Sequence, residues 1–343
     1  MRQNVSTVCA VLMVLITTLL VAPATSQVTP ESTKHFGMCD ASAAVAVGPT
    51  MFVVANDEDN VLRVYRRDKS GELTHTLDLT SFLKPDMEHP EADIEGATRI
   101  GERVYWITSH GTNKNGEPRP SRHRLFATEV NIAGDQVTIT PIGRPYKDLV
   151  KDLAKTPTLK DYKLGDAAKR PPEQVKKPNQ VAGLNIEGLS ATPQGTLLIA
   201  FRNPIPNGKA LLVPLENPKE VIEKKGQAAT LGKPILLSLG GRGIRSIEYF
   251  EAWGKYLIVA GPPNDTGDFT LYQWSGASSE VPEPIPEVTF QGLHPEALIM
   301  YPGERTKIQI LSDDGEVQIE GRDCKHKKVE PAKKSFRSVW VTP

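Results

Sequence analysis

Short runs of alternating apolar and polar residues occupy most of the chain and recur in pairs. Within each of five pairs the two runs are separated by a turn that contains glycine, such as Gly101-Glu102 or Pro302-Gly303. This pattern predicts β-hairpins. The second runs of the five pairs lie at 51–55, 104–108, 196–201, 256–260 and 307–311.

The first run of each pair opens on a similar tripeptide. The five tripeptides are Asp40-Ala41-Ser42, Asp93-Ile94-Glu95, Asn185-Ile186-Glu187, Ser246-Ile247-Glu248 and His294-Pro295-Glu296. Further runs follow four of the hairpins, the third ones at 61–66, 124–130, 210–215 and 269–275 and the fourth at 73–79, 136–142, 234–239 and about 286–290. Four strands per repeat are typical of a propeller blade. The sequence therefore predicts an all-β fold, a five-bladed β-propeller.

The fifth repeat is one strand short. After its hairpin only one further alternating run, 335–341, is present, so we expect an N-terminal strand to complete the blade and close the ring. The spacing between the second and third repeats is longer than the others because of residues 146–182, which are rich in Lys, Asp and Pro. We interpret 146–182 as an insertion in which 147–164 forms one amphipathic helix; a weakly marked sixth blade is the alternative.

The first 26 residues have the pattern of a secretory signal peptide. Arg2 precedes an apolar run at 9–21, and the small residues Ala24 and Ser26 fit a cleavage site. No later segment is apolar for the ~20 residues of a membrane span. We expect one propeller domain at 27–343, exported to the periplasm or the extracellular space.

Cleavage after residue 26 leaves two cysteines, Cys39 and Cys324. In an oxidising compartment they most simply form a disulfide, with two unpaired thiols as the alternative. The bridge would close a loop of nearly the whole domain, worth on the order of 4–5 kcal/mol in the chain-entropy description.

Composition excludes several classes of function. The 41 Lys and Arg residues balance 41 Asp and Glu residues, so the chain has no basic footprint for nucleic acid. The motifs of α/β hydrolases, zincins and nucleotide-binding loops are missing from the sequence. We expect a monomer whose partner is a small anionic molecule or an unidentified protein.

The repeated tripeptides predict a metal site. Residues two apart on a strand face the same side, and the first strand of a blade lies next to the central channel. Carboxylates crowded there repel one another unless a cation binds, and oxygen ligands suit Ca²⁺ before Mg²⁺. The alternative is that each acid only accepts hydrogen bonds from the next blade. The candidate ligands are Asp93, Glu95, Glu187, Glu248 and Glu296.

Polar loops after the second strands should lie at the same end of the channel as these acids. Ordinary turn chemistry explains Asp57, Asp59, Asp313 and Asp314. His and Arg are less usual in turns, so we assign His110 and His294 as catalytic candidates and Arg202, Asn203 and Arg245 as substrate-binding candidates. The Lys-rich stretch at 324–334 is expected to be a solvated hairpin.

Three motifs resemble a family of exported bacterial proteins that carries only the label of a domain of unknown function. They are Asp57-Glu58-Asp59-Asn60, the Asp93-Ile94-Glu95-Gly96 phrase with Ser109-His110-Gly111 after it, and Asn185-Ile186-Glu187-Gly188. The D-x-E-G phrase is also similar to that of phytase-like and esterase-like propellers, which implies a β-propeller with ester or phosphoester hydrolysis. Asn185, Ser246 and His294 replace the Asp, and Tyr249 and Ala297 replace the Gly, so a uniform acidic ring does not follow.

Two functions remain open at this level. One is metal-assisted hydrolysis of an ester or phosphoester, with His110 or His294 as acid or base. The other is a non-catalytic binding scaffold in which a metal braces the blades, since propellers host many functions. The Arg and His residues of the loops are the sequence feature that distinguishes the two functions, because a bracing metal does not need them.

Overall fold

The structure is a computed structural model that describes residues 1, 32–71, 73–134, 136–171, 182–264 and 267–343. The predicted signal peptide therefore lies outside the described residues, apart from Met1. Among the described residues no helix combines the length and the apolar character that a membrane crossing requires.

Five four-stranded antiparallel sheets form the blades of a ring, which confirms the predicted five-bladed β-propeller. A short N-terminal strand, β1 (Ser32–Phe36), precedes the first blade. The first blade contains β2 (Ala41–Val47), β3 (Met51–Asn56), β4 (Val61–Arg66) and β5 (His75–Asp78), and the second contains β6 (Ile94–Ile100), β7 (Arg103–Thr108), β8 (Leu125–Ala133) and β9 (Gln136–Tyr146). The third blade contains β10 (Asn185–Ala191), β11 (Leu197–Asn203), β12 (Ala210–Leu215) and β13 (Ile235–Leu237), and the fourth contains β14 (Gly243–Phe250), β15 (Lys255–Gly261), β16 (Thr270–Trp274) and β17 (Glu283–Pro284).

The fifth blade is assembled from both ends of the chain. It contains β18 (Pro295–Ile299) and β19 (Ile308–Ser312); a small hairpin of β20 (Gln318–Ile319) and β21 (Arg322–Asp323) follows, and β22 (Ser335–Val341) is the third strand of the blade. β1 pairs antiparallel with β22 and supplies the fourth strand, as predicted. The backbone hydrogen bonds between β1 and β22 thereby close the ring.

A disulfide joins Cys39 to Cys324 next to this closure, with a Cα–Cα distance of 5.9 Å and a sequence separation of 285. The predicted pairing is confirmed. The bridge links the residue that leads into the first blade to the segment that leads into β22.

Five hydrophobic cores fill the spaces between neighbouring blades. Trp106 and Phe126 of the second blade pack against the first, and Phe52 packs with Phe336 between the first and the fifth. Each of these side chains is fully buried, which is worth roughly 1.5–3 kcal/mol per side chain. The alternating apolar residues of the sequence face these cores, so the pattern that predicts the strands also positions the blades.

In the part of the chain that the structure describes, helices are few and short. They are α1 (Thr80–Leu83), α2 (Leu149–Lys155), α3 (Leu164–Ala167) and α4 (Pro218–Glu223), with 3-10 turns at Pro120–Arg122, Pro157–Tyr162, Pro206–Gly208, Glu251–Trp253 and Pro331–Lys333. Between the second and third blades, α2, a 3-10 turn and α3 occupy the segment for which one helix is predicted. Leu149, Leu153 and Leu164 anchor it to the neighbouring core.

The fourth strand of the fourth blade differs from the prediction. Residues 286–290 do not form a strand; β17 lies earlier and has only two residues. Pro284 and Pro286 lack the backbone N–H that a longer ladder needs. Val288 and Phe290 bury their side chains in the core between the fourth and fifth blades instead.

Candidate functional site

A β-bulge interrupts the first strand of every blade at the same point. The register shifts at Ala41/Ala44, Ile94/Gly96, Ile186/Gly188, Ile244/Ser246 and Pro295/Ala297. A bulge adds one residue to a strand and re-aims its side chain. The bulges place Ser42, Glu95, Glu187, Arg245 and Glu296 around one cavity of about 640 Å³, at the start of the inner strands.

The glycine after the bulge has a packing role. A Cβ on Gly188 would lie 2.7 Å from the Cβ of Ala200 and 3.0 Å from Cγ2 of Ile247, and one on Gly96 would lie 3.1 Å from the backbone of Gly188. The inner strands thus approach one another too closely for a side chain at these positions. This explains the Glu-Gly pair that follows the isoleucine in two of the five blades, Glu95-Gly96 and Glu187-Gly188.

The fourth blade places an arginine in the acidic ring. The structural equivalent of Glu187 is Arg245, whereas the sequence repeat aligns Glu248, three residues further on, with the other acids. Glu248 lies at the other end of the inner strands and lines a separate cavity of about 1020 Å³, where Thr98 Oγ1 donates to its Oε1 at 3.3 Å. The structure does not bring Glu248 together with the other candidate ligands. The signal for the correct register is an isoleucine, the bulged residue and then a small residue, as in Ile244-Arg245-Ser246.

Three carboxylates form the most compact acidic group of the cavity. One oxygen each from Asp57, Asp93 and Glu95 lies within 4.8 Å of the other two. Ser42 Oγ donates to Glu95 Oε2 at 2.6 Å, and Ser109 Oγ donates to Asp93. The Oδ1 of Asp57 is buried without a hydrogen-bond partner among the described residues. This oxygen is available to a ligand.

The neighbouring acids raise one another's pKa. Burial, followed by the charge of Asp313, raises the pKa of Asp57 well above its usual range. Burial and the charge of Asp93 do the same for Glu95. Burial and Asp313 raise the pKa of Asp40 to about 7. A group of carboxyls with these shifts either keeps protons at neutral pH or binds a cation in their place.

Arg122 partly neutralises the acidic group. Its Nη1 lies 2.9 Å from Asp93 Oδ2, and its Nη2 pairs with Glu91. Asp57 and Glu95 have no comparable arginine contact among the described residues. The negative charge that is left for a ligand therefore concentrates on these two side chains.

The opposite side of the cavity is an ion-pair network. Arg202 Nη1 lies 2.9 Å from Glu187 Oε1, and Arg245 Nη1 lies 3.0 Å from both Glu187 Oε2 and Glu296 Oε1. Arg245 also stacks over Phe269 at 5.4 Å. Burial raises the pKa of Glu296 to about 8 against the opposing effect of Arg245. Glu187 and Glu296 are thus paired with arginines, and Asp93 and Glu95 with Asp57 form a different group.

The two candidate catalytic histidines lie in different places. His294 lines the cavity, with its ring 6.2 Å from that of Phe269. His110 is fully buried outside the cavity lining, its Nδ1 2.7 Å from the carbonyl oxygen of Thr108 and its ring 5.5 Å from that of His123. Burial and His123 lower the pKa of His110 to about 3. Of these two candidates, only His294 lines the cavity and is in a position to contact a ligand there.

The predicted substrate-binding residues also separate. Arg202 and Arg245 line the cavity. Asn203 is buried outside the lining, and its side-chain amide donates to the carbonyl oxygen of Pro263 at 2.8 Å. Its position indicates that it holds the loop after β15 in place.

A known protein family matches most of the chain. The profile of the family described as "Protein of unknown function (DUF3616)" matches residues 40–131 and 142–300. The chain belongs to DUF3616. The match covers the first four blades and the start of the fifth, and it includes every bulged residue of the cavity. No curated protein matches the sequence.

Several solved structures are similar to this DUF3616 chain. The glutaminyl cyclase of Myxococcus xanthus is 14% identical with a TM-score of 0.44, over 91% of this chain and 95% of that one. The PQQ-bound aldose sugar dehydrogenase of Streptomyces coelicolor is 9% identical with a TM-score of 0.44, over 91% and 100%. The arabinanase of Bacillus subtilis is 10% identical with a TM-score of 0.39, over 89% and 94%.

The lining residues of the DUF3616 chain that are missing from the predicted site include Asp57, Asp313, Lys325 and Arg122. Asp57 and Asp313 are expected from composition to be plain turn residues, and Lys325 falls in a stretch predicted to be solvated; all three line the cavity. The position of the loops after the second strands could have indicated the two aspartates. Arg122 comes from the long loop between β7 and β8 and has no sequence signal, because only the folded loop brings it to Asp93.

Proposed function

We propose that this protein binds a divalent cation in its axial cavity through Asp57, Asp93 and Glu95, and that it is a metal-assisted hydrolase of a small anionic ester or phosphoester. The observation that carries the proposal is the compact group of three carboxylates, one of which, Asp57, has a buried oxygen without a hydrogen-bond partner among the described residues, Oδ1. Such a group without a cation is unfavourable, since like charges in a confined site repel.

The donor set favours a hard cation. All three proposed ligands are carboxylates, and the described residues add the oxygens of Ser42 and Ser109 close by. Ca²⁺ accepts six to eight oxygen ligands in variable geometry, whereas Mg²⁺ requires near-octahedral coordination. We therefore place Ca²⁺ before Mg²⁺. When bound, such an ion would polarise an ester and lower the pKa of a water molecule.

The remaining lining residues fit an anionic substrate. Arg245 and Arg202 would exchange part of their pairing with Glu187 and Glu296 for the negative group of the ligand. His294 stands in the same wall and would transfer a proton to or from the reacting group. His110 takes no part in this scheme, because it is buried away from the cavity.

One observation favours a second function, a non-catalytic scaffold whose cation braces the blades. Arg245 of the fourth blade already pairs with Glu187 of the third blade and Glu296 of the fifth, so this arginine also fastens neighbouring blades together. In that case the cation would join Asp57 of the first blade to Asp93 and Glu95 of the second.

We also propose that the protein works outside the cytoplasm. The disulfide between Cys39 and Cys324 supports this, because disulfides persist in oxidising compartments. The predicted signal peptide at 1–26 agrees with it.

A thermal-shift titration tests the cation site. Saturating Ca²⁺ added to the EDTA-treated mature protein is expected to raise Tm by about 4 °C, the effect of a ligand at about 100 times its Kd on a domain of this size. Asp57→Asn is expected to remove the shift. Asp59→Asn is the matched control, because Asp59 lies in the same loop as Asp57 but pairs with Arg63. This variant is expected to show the same Ca²⁺-induced rise in Tm as the wild type. No shift in the wild-type protein would contradict the cation site.

A hydrolysis panel separates the two functions. Phosphomonoesters and simple esters are expected to be hydrolysed in the presence of Ca²⁺, and His294→Gln is expected to lower kcat about 100-fold while the Ca²⁺ shift stays. Ca²⁺ binding without hydrolysis of any ester in the panel would favour the scaffold.

A further inference from the structure

One basic side chain stands in the acidic wall of the cavity. Lys325 lines the cavity together with Asp40, Asp57 and Asp313, and its Nζ lies 3.5 Å from Glu58 Oε1. Its side chain is 39% exposed, so it reaches the wall from the solvent side. The wall therefore contains a positive charge before any ligand binds.

The backbone fixes the position of Lys325. The preceding residue, Cys324, forms the disulfide to Cys39, and Cys39 directly precedes Asp40. The N–H of Lys325 donates to the carbonyl oxygen of Gly315 at 3.0 Å, and the N–H of Cys324 donates to that of Val317 at 2.8 Å. The same bridge thus positions an acid and a base of one wall.

Two acids that interact with Lys325 each have a carboxylate oxygen without a hydrogen-bond partner among the described residues. Asp40 is only 3% exposed, and its Oδ1 is buried without a hydrogen-bond partner among the described residues. Asp57 Oδ1 is also buried without a hydrogen-bond partner among the described residues. Both side chains interact with the charge of Lys325. The lysine is a fixed counter-charge for the group that would bind the cation.

We propose that Lys325 determines the charge specificity of the cation site. Its positive charge makes the binding free energy of every cation less favourable, by an amount proportional to the charge of that cation. This inference rests on the proposed cation site. Its physical basis is that the Coulomb energy between Lys325 and a bound ion is linear in the ion's charge. The lysine thus holds the affinity for Ca²⁺ down and penalises a trivalent ion more strongly.

The test is isothermal titration of the mature, disulfide-bonded protein with Ca²⁺ and with Tb³⁺. Lys325→Met is expected to tighten Ca²⁺ binding about tenfold and Tb³⁺ binding about thirtyfold, the ratio that a linear dependence on charge requires. Both gains are expected to shrink in 0.5 M NaCl, because the lysine is partly exposed and salt screens it. Lys325→Arg keeps the charge and is expected to bind as the wild type does.

Lys327→Met is the matched control, since Lys327 is exposed in the same stretch and does not line the cavity. Lys325→Gln repeats the neutralisation with a shorter polar side chain in case the methionine variant does not fold. Wild-type protein that binds neither ion would overturn the proposed cation site and this inference with it. Wild-type binding with an unchanged, weakened or equally changed affinity for both ions in Lys325→Met would overturn only the inference.

Discussion

Buried titratable side chains of two kinds respond to pH in opposite directions. His110 and His35 are kept neutral by burial, which lowers their pKa to about 3 and about 4. Burial raises the pKa of Glu248 and of Glu296 to about 8, in Glu296 against the opposing charge of Arg245. The histidines stabilise the fold at high pH and the acids stabilise it at low pH.

Acid is expected to destabilise the protein through His110. Its folded-state pKa lies below its unfolded value of 6.5, so the unfolded chain takes up the proton more readily and stability is lost as the pH falls below 6.5. The loss by pH 4 is up to about 3 kcal/mol. This loss includes the repulsion between a protonated His110 and the neighbouring His123 and Arg124, which contribute to the lowered pKa of His110.

Urea denaturation between pH 7 and pH 4 measures this effect. His110→Asn is expected to flatten the acid limb, because asparagine tolerates the positive φ of 55° at this position and does not titrate. His75→Asn, on β5 and partly exposed, is the control and is expected to retain the wild-type slope. An unchanged slope in His110→Asn would show that other groups dominate.

The inner strand is the element that makes the site. Each inner strand has apolar residues facing the cores between blades and one bulged residue facing the cavity, and the two roles depend on the register of the bulge. The repeat predicts this register for Glu95, Glu187 and Glu296. It fails in the fourth blade, where Ser246-Ile247-Glu248 imitates the tripeptide and the bulged residue is Arg245. The tripeptide match at Ser246-Ile247-Glu248 hides the signal of Ile244-Arg245-Ser246 in the sequence, and the pairing of β14 with β15 shows that the second alignment is the correct one.

Gly188→Ala tests the close approach of these strands. The added Cβ would lie 2.7 Å from Ala200 Cβ, so the inner strand must shift, and overpacking of this kind costs about 1–3 kcal/mol. Chemical denaturation is expected to show that loss, with weaker Ca²⁺ binding because Glu187 is adjacent. A variant as stable as the wild type would mean that the blades adjust freely at this point.

At the scale of the whole molecule, both ends of the chain meet at one seam. β1 closes the fifth blade, and the disulfide lies beside this closure and beside the cavity wall. The cross-link restricts the unfolded chain over 285 residues, a long loop with a correspondingly large effect.

Removal of the bridge is expected to lower the free energy of unfolding by on the order of 4–5 kcal/mol. The measurement is urea unfolding of the mature protein with and without a reducing agent, alongside Cys39→Ser/Cys324→Ser. The reducing agent is expected to leave the double variant unchanged. A loss below about 1 kcal/mol would indicate that the β1–β22 pairing alone holds the seam.

The sequence by itself determined the strands except the fourth strand of the fourth blade, and it determined the number of blades, the closing strand and the disulfide, because these depend on local alternation, on turns and on the count of cysteines. It also placed Glu95, Glu187, Glu296 and His294 at the cavity. Only the tertiary structure decided which charges meet: it pairs Glu187 with Arg245, leaves Glu95 with Asp57, buries His110 and brings Lys325 to the acidic wall. Those contacts join loops and blades far apart in the chain, and no local pattern encodes their distances.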